Sequence, residues 1–321
     1  MINDSINILI IGSGAIGIGL GASLISQNVN VSFFSRKNTA KAMEKFGIKR
    51  TGIFENIKVT SDKFKVYHSY KTIPVDTFDF VLICTKTSVN KKISIKLNEN
   101  KRILKENAKI IIFQNGFGND EEYLKYFDEN QVYCARVITG FKRPERHISE
   151  ITVHTQPILL GSLHNCPSSN VSIISEMIND SGIPSETTED LSMYLWDKML
   201  YNCTLNPLGA ILGVNYGKLT ENDYSIEIMN SIIDEIFDVL NASGFKSNWD
   251  TPEDYKEIFY SKLVPDTYNH ESSTLQDIKK RQKTEIDTLT GKIIELAEEY
   301  NINVPVNKVI YNQIKALESD F

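Results

Sequence analysis

Cysteine and histidine are scarce in this chain, and neither has the spacing of a metal or disulfide site. The five histidines form no HExxH-like pattern. The four cysteines include no CxxC pair and are Cys84, Cys134, Cys166 and Cys203. We therefore expect no disulfide scaffold, no metal site, and a reducing, cytoplasmic location.

An excess of positive charge is also absent. Among the 321 residues, 41 are Asp or Glu and 35 are Lys or Arg, which gives a formal net charge of -6. Nucleic acids and anionic membranes attract basic surfaces, so this balance argues against both as partners. The length is sufficient for two domains, each with its own core.

The chain has no long, uninterrupted apolar segment. Its most apolar stretch, residues 7–25, reads NILIIGSGAIGIGLGASLI, which is uncharged but contains five glycines. A signal peptide begins with a positive segment, and no Lys or Arg precedes Arg36. A membrane-spanning helix needs about 20 predominantly apolar residues. We expect neither, and we predict a soluble protein.

The same stretch has the order strand, glycine loop, helix. Residues 6–11 form a short apolar run typical of a buried parallel strand, and apolar residues at near-helical spacing follow Gly17. Gly12 permits a tight turn, Gly14 allows a pyrophosphate to approach the backbone, and Gly17 allows the helix to pack on the strand. The pattern predicts a dinucleotide site at Gly12, Ser13, Gly14, Ala15, Ile16 and Gly17. The alternative is a tight turn without a ligand.

A carboxylate is missing where an NAD site usually has one. An Asp or Glu about 20 residues beyond the loop bonds the ribose 2′-hydroxyl, yet no acidic residue occurs between Asp4 and Glu44. Instead, the second predicted strand, residues 29–34, is followed by Ser35 and Arg36. A guanidinium suits a 2′-phosphate, so Arg36 favours NADP(H). A solvated basic turn is the alternative.

Two later apolar runs, residues 77–86 and 108–116, are typical of strands that end in polar residues. Ligands of open α/β sheets bind at the carboxyl ends of the strands. We therefore expect Lys86 and Asn115 to face the cofactor. Taken alone, the pair Asn115-Gly116 also fits a simple turn.

The chain changes character in its second half. Residues 131–139 and 147–162 are rich in β-branched side chains, and we expect them to complete the sheet. From position 169 onward the pattern is helical almost throughout. We predict a nucleotide-binding domain over residues 1–188 and a substrate-binding, catalytic domain over residues 189–321. The fold class is α/β, a Rossmann domain followed by an all-α domain.

A polar stripe marks the second domain. Lys198, Asn202 and Asn206 have the spacing i, i+4, i+8 in an otherwise apolar segment, which places them on one face of a helix. Such groups are costly to bury without a function, although a wet helix face would explain them equally well. Pro207 disfavours helical geometry at Asn206 and could turn that side chain.

Two residues further on have plain explanations. We expect the last long helix to open with residues 272–287. Ser273 fits a capping-box position at its start. Glu285 lies four residues after Arg281, which fits a surface ion pair.

Together these residues resemble the ketopantoate reductases (2-dehydropantoate 2-reductases) over nearly the whole chain. The motifs that carry the resemblance are the GxGxxG loop, Arg36, Thr85-Lys86, Gln114-Asn115-Gly116, Lys198-xxx-Asn202-xxx-Asn206-Pro-Leu, and Ser272-Ser273 leading to Thr284-Glu285-Ile286-Asp287. The resemblance implies NADPH-dependent reduction of 2-dehydropantoate to D-pantoate, a step toward pantothenate and coenzyme A. It further implies that Lys198 is the catalytic acid.

The resemblance also implies the remaining site roles. Asn202, Asn206 and Ser273 hold the substrate, Asn115 touches cofactor and substrate, and Glu285 reaches the cofactor. Lys86 joins the residues around the cofactor.

One position departs from the family pattern. Many members have an asparagine about ten residues after the second Asn of the stripe, where this chain has Tyr216. A reductase of another 2-ketoacid or of an opine-like substrate therefore stays open, as does a non-catalytic NADP(H) sensor, which would need no acid. The sequence also leaves the oligomeric state open, a homodimer included.

Overall fold

The apolar run of residues 8–11 forms an interior strand of a mostly parallel sheet, and its residues are almost completely buried. A strand buried on both faces is typical of parallel sheets covered by other elements. The computed structural model describes residues 6–321. Within them the chain divides into two units, one of residues 6–114 with Asn119–Leu191 and one of Asn115–Gly118 with Ser192–Phe321.

All strands of the described chain belong to the first unit. In chain order they are β1 (Asn7–Ile11), β2 (Asn30–Phe34), β3 (Ile48–Gly52), β4 (Ile57–Val59), β5 (Lys65–Tyr67), β6 (Phe78–Ile83), β7 (Leu104–Ile112), β8 (Val132–Arg136), β9 (Thr139–Lys142), β10 (Ile148–His154), β11 (Ile158–Gly161) and β12 (Ser185–Thr187).

The main sheet has the order β12-β11-β8-β7-β6-β1-β2-β5. Its neighbouring strands are parallel except for β8 and β11, which are antiparallel. A second sheet has the order β4-β3-β10-β9. The first unit is thus the predicted Rossmann domain, with an additional small sheet.

The expectation that residues 131–139 and 147–162 complete the sheet is wrong in part. β8 and β11 join the main sheet, but β9 and β10 pair with each other and β10 pairs with β3. The physical difference lies in the burial pattern. β8 and β11 are buried at every position, whereas β10 alternates through much of its length, as a strand with one covered face does.

The helices of the first unit are α1 (Ala15–Ser26), α2 (Lys37–Phe46), α3 (Asn90–Glu99), α4 (Glu121–Leu124) and α5 (Ser172–Asp180). α1 lies between the two sheets. An added Cβ at Gly21 would overlap the Phe33 ring of β2, and one at Gly19 would come within 2.8 Å of Phe141 and Ser149 in the second sheet. The glycines of α1 are therefore required by packing on both of its faces.

The buried Arg50 of β3 connects β3 to α1 and to the segment that follows α5. Its guanidinium donates hydrogen bonds to Ser23 Oγ of α1 at 2.5 Å and to the Ser181 carbonyl oxygen at 2.8 Å. Removal from water lowers the pKa of Arg50, with an opposing contribution from Glu55. The hydrogen bonds offset part of the cost of burying this cation.

The second unit is helical. Its helices are α6 (Leu191–Leu212), α7 (Tyr216–Leu219), α8 (Asp223–Ser243), α9 (Pro252–Ile258), α10 (Val264–Asp266), α11 (Ser273–Lys279), α12 (Thr290–Glu299) and α13 (Pro305–Leu317). Ala210, Leu275, Ile286 and Ile314 form one of its apolar clusters, which joins α6, α11 and α13. None of the helices found within residues 6–321 is long and apolar enough to cross a membrane.

The prediction that a long helix opens with residues 272–287 is wrong. α11 ends at Lys279, Arg281 has a positive φ of 52°, and a 3-10 turn at Ile286–Thr288 precedes α12. Residues 279–283 offer no apolar side chain, so this stretch has nothing to bury against a neighbour. Helices in proteins depend on such packing, and without it the helix ends.

Candidate functional site

The glycine loop follows β1 directly, and its three glycines meet different surroundings. Gly12 has a φ of +104°, and a Cβ there would come within 2.7 Å of the Cys84 backbone. A Cβ at Gly17 would overlap the Gly12 carbonyl oxygen. At Gly14 the nearest atom would be 3.8 Å away, so no protein group forbids a side chain there. The protein itself requires Gly12 and Gly17, whereas Gly14 leaves open space beside the backbone.

Ser13 and the start of α1 complete this cradle. Ser13 is 7% exposed, and its Oγ is buried without a hydrogen-bond partner in the described chain. α1 begins at Ala15, and Gly14 is its N-cap. The first turn of α1 contains no acidic residue, so no carboxylate of that turn competes for its free N–H groups. An orphaned hydroxyl, an open glycine and a helix N-terminus together fit a pyrophosphate.

Arg36 lies where β2 leads into α2. It is exposed and is the N-cap residue of α2, whose first turn contains no acidic side chain. Arg143, which the sequence gave no reason to single out, donates a hydrogen bond to Thr39 Oγ1 in that first turn at 3.0 Å. The start of α2 therefore combines a helix N-terminus with guanidinium groups, an arrangement that favours a phosphate.

The carboxyl ends of β6 and β7 are joined by Gln114. Its Nε2 donates to the Thr85 carbonyl oxygen at 2.9 Å and to Asn90 Oδ1 at 2.7 Å. The neighbouring Lys86 is exposed and forms the N-cap of a 3-10 turn. This amide network fixes the two strand ends, at the sheet edge where ligands of such folds bind.

In the second unit, three residues far apart in sequence meet. Lys198 Nζ of α6 donates to Asn115 Oδ1 at 2.7 Å, and Asn115 Nδ2 donates to Glu285 Oε2 at 3.1 Å. The charges fix the Asn115 amide, because only its oxygen suits an ammonium and only its NH2 group suits a carboxylate. We call Lys198, Asn115 and Glu285 the lysine centre. All three side chains are partly buried.

The segment that carries Asn115 is held tightly. Thr288 Oγ1 donates to the Asn115 carbonyl oxygen at 3.4 Å, and Phe117 N donates to the Thr288 carbonyl oxygen at 3.0 Å. Gly116 has a φ of +95°, and a Cβ there would overlap Thr288. The Phe117 ring packs 5.0 Å from Trp196, two residues before Lys198. Neither the simple turn expected for Asn115-Gly116 nor the surface ion pair expected for Glu285 describes these contacts.

The polar stripe lies on α6, as predicted. Pro207 lies inside this 22-residue helix and does not end it. Asn202 is partly buried and makes no side-chain hydrogen bond within residues 6–321, whereas Asn206 is 3% exposed and accepts one from the Tyr216 hydroxyl. The alternative of a wet helix face does not fit a buried Asn206.

Ser272, and not Ser273, caps the helix that begins at the 272–273 pair. Ser272 is the N-cap of α11, accepts from Leu275 N at 3.0 Å and donates to the Asn206 carbonyl oxygen at 3.3 Å. The expectation that Ser273 caps the helix is therefore wrong. Ser273 is exposed and its side chain has no hydrogen bond in the described chain, so its hydroxyl is available to a ligand.

Sequence reasoning missed several supporting residues. Gln114 lies inside the motif of residues 114–116 and Thr288 directly follows the motif of residues 284–287, but no spacing rule shows which backbone groups they bond. From the sequence, Tyr216 is only a departure from the family pattern, because its contact with Asn206 depends on tertiary structure. Among residues 6–321, no group of three or more His, Cys, Asp or Glu side chains is placed to hold a metal ion.

Comparison with known proteins gives a consistent picture. The family model described as "Ketopantoate reductase PanE/ApbA" matches residues 8–165, and its C-terminal counterpart matches residues 190–318. The 2-dehydropantoate 2-reductase of Aquifex aeolicus is 35% identical over 97% of this chain and 96% of that protein. The Pyrococcus horikoshii enzyme of the same name is 28% identical over 97% of each.

Solved structures share the fold. A PanE/ApbA family ketopantoate reductase from Ralstonia eutropha superimposes with a TM-score of 0.84 at 23% identity, covering 98% of this chain and 99% of that one. A D-mandelate dehydrogenase, solved with NADH and anilino(oxo)acetate, also gives 0.84, at 18% identity and the same coverage.

A Rossmann-type unit followed by a helical unit, together with relatives named as reductases, places the protein among the oxidoreductases. Within that class, the chain belongs to the ketopantoate reductase family.

Proposed function

We propose that the protein reduces 2-dehydropantoate to D-pantoate with NADPH, within pantothenate and coenzyme A biosynthesis. The observation that carries this proposal is the lysine centre, in which an ammonium on α6 is oriented by Asn115 and balanced by Glu285. The relatives named 2-dehydropantoate 2-reductase support the substrate.

We assign cofactor binding to residues 1–188, together with Asn115 and Glu285. Gly12 to Gly17 would hold the pyrophosphate, supported by the open space at Gly14 and the orphaned Ser13 hydroxyl. Arg36 would pair with the 2′-phosphate, and Lys86 would contact the cofactor at the end of β6. The bound nicotinamide supplies a hydride.

Lys198 would act on the carbonyl oxygen of the ketoacid. As the carbonyl carbon gains the hydride, negative charge develops on the oxygen, and a nearby ammonium stabilises it. Lys198 then gives its proton to that oxygen, which yields the alcohol and a neutral amine that solvent reprotonates. Asn115 holds the ammonium in place before the reaction.

Substrate binding is assigned to residues 189–321 and Asn115. The side chains of Asn202 and Ser273 make no hydrogen bond within residues 6–321 and can serve the carboxylate and hydroxyl groups of a small polar acid. Asn206 lies one helical turn beyond Asn202 on α6. Neutral donors suit such an acid because they bind its oxygens without adding charge.

A second candidate is reduction of a different 2-ketoacid. The observation that favours it is Tyr216, which bonds Asn206 and stands at the sequence position where many family members have an asparagine. A non-catalytic sensor is less well supported, since sensing requires no oriented lysine.

The test is NADPH oxidation by the purified protein across a panel of 2-ketoacids that includes 2-dehydropantoate, each also assayed with NADH. Turnover of 2-dehydropantoate with the highest kcat/KM is expected. A higher kcat/KM for another ketoacid would favour the second candidate. A folded protein that binds NADPH but does not oxidise it in the presence of any ketoacid of the panel would overturn the reductase assignment.

A further inference from the structure

A buried tyrosine contacts the polar stripe at Asn206. Tyr216 and Asn206 are each 3% exposed, and the Tyr216 hydroxyl donates a hydrogen bond to Asn206 Oδ1. Because an asparagine amide has one accepting and one donating end, the partner of the first end decides where the second end points.

The hydroxyl permits only one orientation of this amide. Burial raises the pKa of Tyr216 well above its ordinary value, so the hydroxyl keeps its proton. Within residues 6–321 that proton has no acceptor other than Asn206 Oδ1. If the amide were turned over, an NH2 group would face the hydroxyl, and the buried hydroxyl proton would have no acceptor, which is energetically unfavourable.

The Asn206 NH2 group is consequently directed away from Tyr216. Its nitrogen makes no hydrogen bond to any described residue. The nitrogen is also not among the completely buried side-chain atoms without a partner, so part of it is accessible. It is therefore a donor in contact with solvent, on the same helix as Lys198 and Asn202.

The backbone holds Tyr216 in place from the other side. Tyr216 N donates to the His270 carbonyl oxygen at 3.1 Å, and Gly217 N donates to that of Tyr268 at 2.9 Å. The Tyr216 ring meets Tyr201 edge-on at 5.6 Å and His270 at 5.0 Å. With backbone and ring both fixed, the hydroxyl has little freedom to leave Asn206.

We propose that Tyr216 is a positioning residue that fixes the Asn206 amide as a hydrogen-bond donor toward an oxygen atom of the ketoacid. This inference rests on the proposed function. It also restricts the substrate class, because a donor at this point binds carbonyl, carboxylate or hydroxyl oxygens and offers no acceptor to an amino group. Opine-like substrates that present an amine there are disfavoured.

The test is Tyr216→Phe, which removes one oxygen atom. We expect KM for 2-dehydropantoate to rise about fivefold to tenfold, the loss expected for a misdirected neutral hydrogen bond, with kcat and the NADPH KM nearly unchanged. Tyr201→Phe is the matched control, since its hydroxyl bonds Thr267 Oγ1 at 2.5 Å and does not contact the stripe. It should leave KM unchanged.

The same substitution in an Asn206→Ala background separates positioning from other roles. If Tyr216 acts through Asn206, Tyr216→Phe has no further effect on KM there. An equal rise in both backgrounds, or no rise in the wild-type background, would overturn the inference.

Side-chain amide NMR decides the matter without turnover. The Asn206 resonances are identified by their loss in Asn206→Ala. Weak or absent NOEs from the Asn206 NH2 protons to the Tyr216 ring protons beside the hydroxyl support the inference, and strong ones would overturn it. Failure of the wild-type protein to reduce 2-dehydropantoate would instead count against the proposed function.

Discussion

The glycine loop and the lysine centre differ in how far apart their residues lie in the chain. The loop consists of consecutive residues between β1 and α1, and it presents mostly backbone. The lysine centre joins side chains separated by 83 and 170 positions. A site made of contiguous backbone leaves a readable sequence pattern, whereas a site made of converging side chains becomes visible only when the chain has folded.

The largest expected effect is at the lysine centre. Lys198→Ala should lower kcat about 10²–10⁴-fold and leave the NADPH dissociation constant nearly unchanged, because the ammonium acts mainly in the transition state. Steady-state kinetics and nucleotide fluorescence titration measure the two quantities. Lys262→Ala, an exposed lysine on the same unit, is the control.

Asn202→Ala sharpens the same test, since it should act mainly through the KM of the ketoacid. A near-normal kcat in a folded Lys198→Ala protein would contradict the catalytic role of Lys198 and would favour the hypothesis of a non-catalytic NADP(H) sensor.

The glycine loop is tested by two glycines with opposite expectations. Gly14→Val should abolish NADPH binding with little change in the free energy of unfolding, because its side chain would enter the open space that a pyrophosphate needs. Gly17→Ala should instead destabilise the fold by about 1–3 kcal/mol, since its Cβ overlaps the Gly12 carbonyl oxygen.

Fluorescence titration and urea unfolding of both variants give these values. Undiminished NADPH affinity in folded Gly14→Val would show that the loop is only a turn.

Arg36 tests the choice of cofactor. Arg36→Ala should raise the NADPH KM by the equivalent of about 1.5–3 kcal/mol, the worth of a charge-assisted contact, and leave the NADH KM nearly unchanged. The control is Lys41→Ala, an exposed cation one turn further along α2. Equal use of NADH and NADPH by the wild-type protein would contradict the assignment.

The smallest expected effect concerns the pair of His164 and Asp120 in the first unit, which are distant in sequence and are also brought together by the tertiary structure. His164 Nε2 lies 2.7 Å from Asp120 Oδ2, and this hydrogen bond raises the pKa of His164. A raised pKa contributes stability that is fully present below the unfolded value of about 6.5 and is lost as the pH rises through the folded value.

His164→Gln should therefore cost more stability at pH 5.5 than at pH 8, by about 1 kcal/mol or less in urea unfolding. His154 is a control of opposite sign. Burial, and to a smaller extent Arg136, lowers the pKa of His154. Because the unfolded state then binds the proton more readily, His154 makes the folded state less stable as the pH falls below about 6.5. A pH-independent loss in His164→Gln would mean that the pair carries no net charge interaction.

Apolar spacing predicted much of the fold correctly. The central strands, α1 and α6 were recognisable because burial on both faces of a sheet, or along a helix, requires runs and repeats of apolar residues. The second sheet was not separated from the first, although the alternation within β10 distinguishes it from the fully buried β8. The break after α11 was missed because capping and periodicity describe how a helix begins better than how far packing sustains it.

For the candidate site, the sequence by itself determined the glycine loop, the missing carboxylate before Glu44 and the spacing of Lys198, Asn202 and Asn206 along one helix. These features are local, so backbone geometry and residue type suffice to read them. Only the tertiary structure decided that Lys198 bonds Asn115 and that Asn115 bonds Glu285. It alone also decided that Ser272 rather than Ser273 caps α11, and that Tyr216 meets Asn206. A hydrogen bond between distant residues depends on where the whole unit places its donor and acceptor, and no short stretch of sequence contains that information.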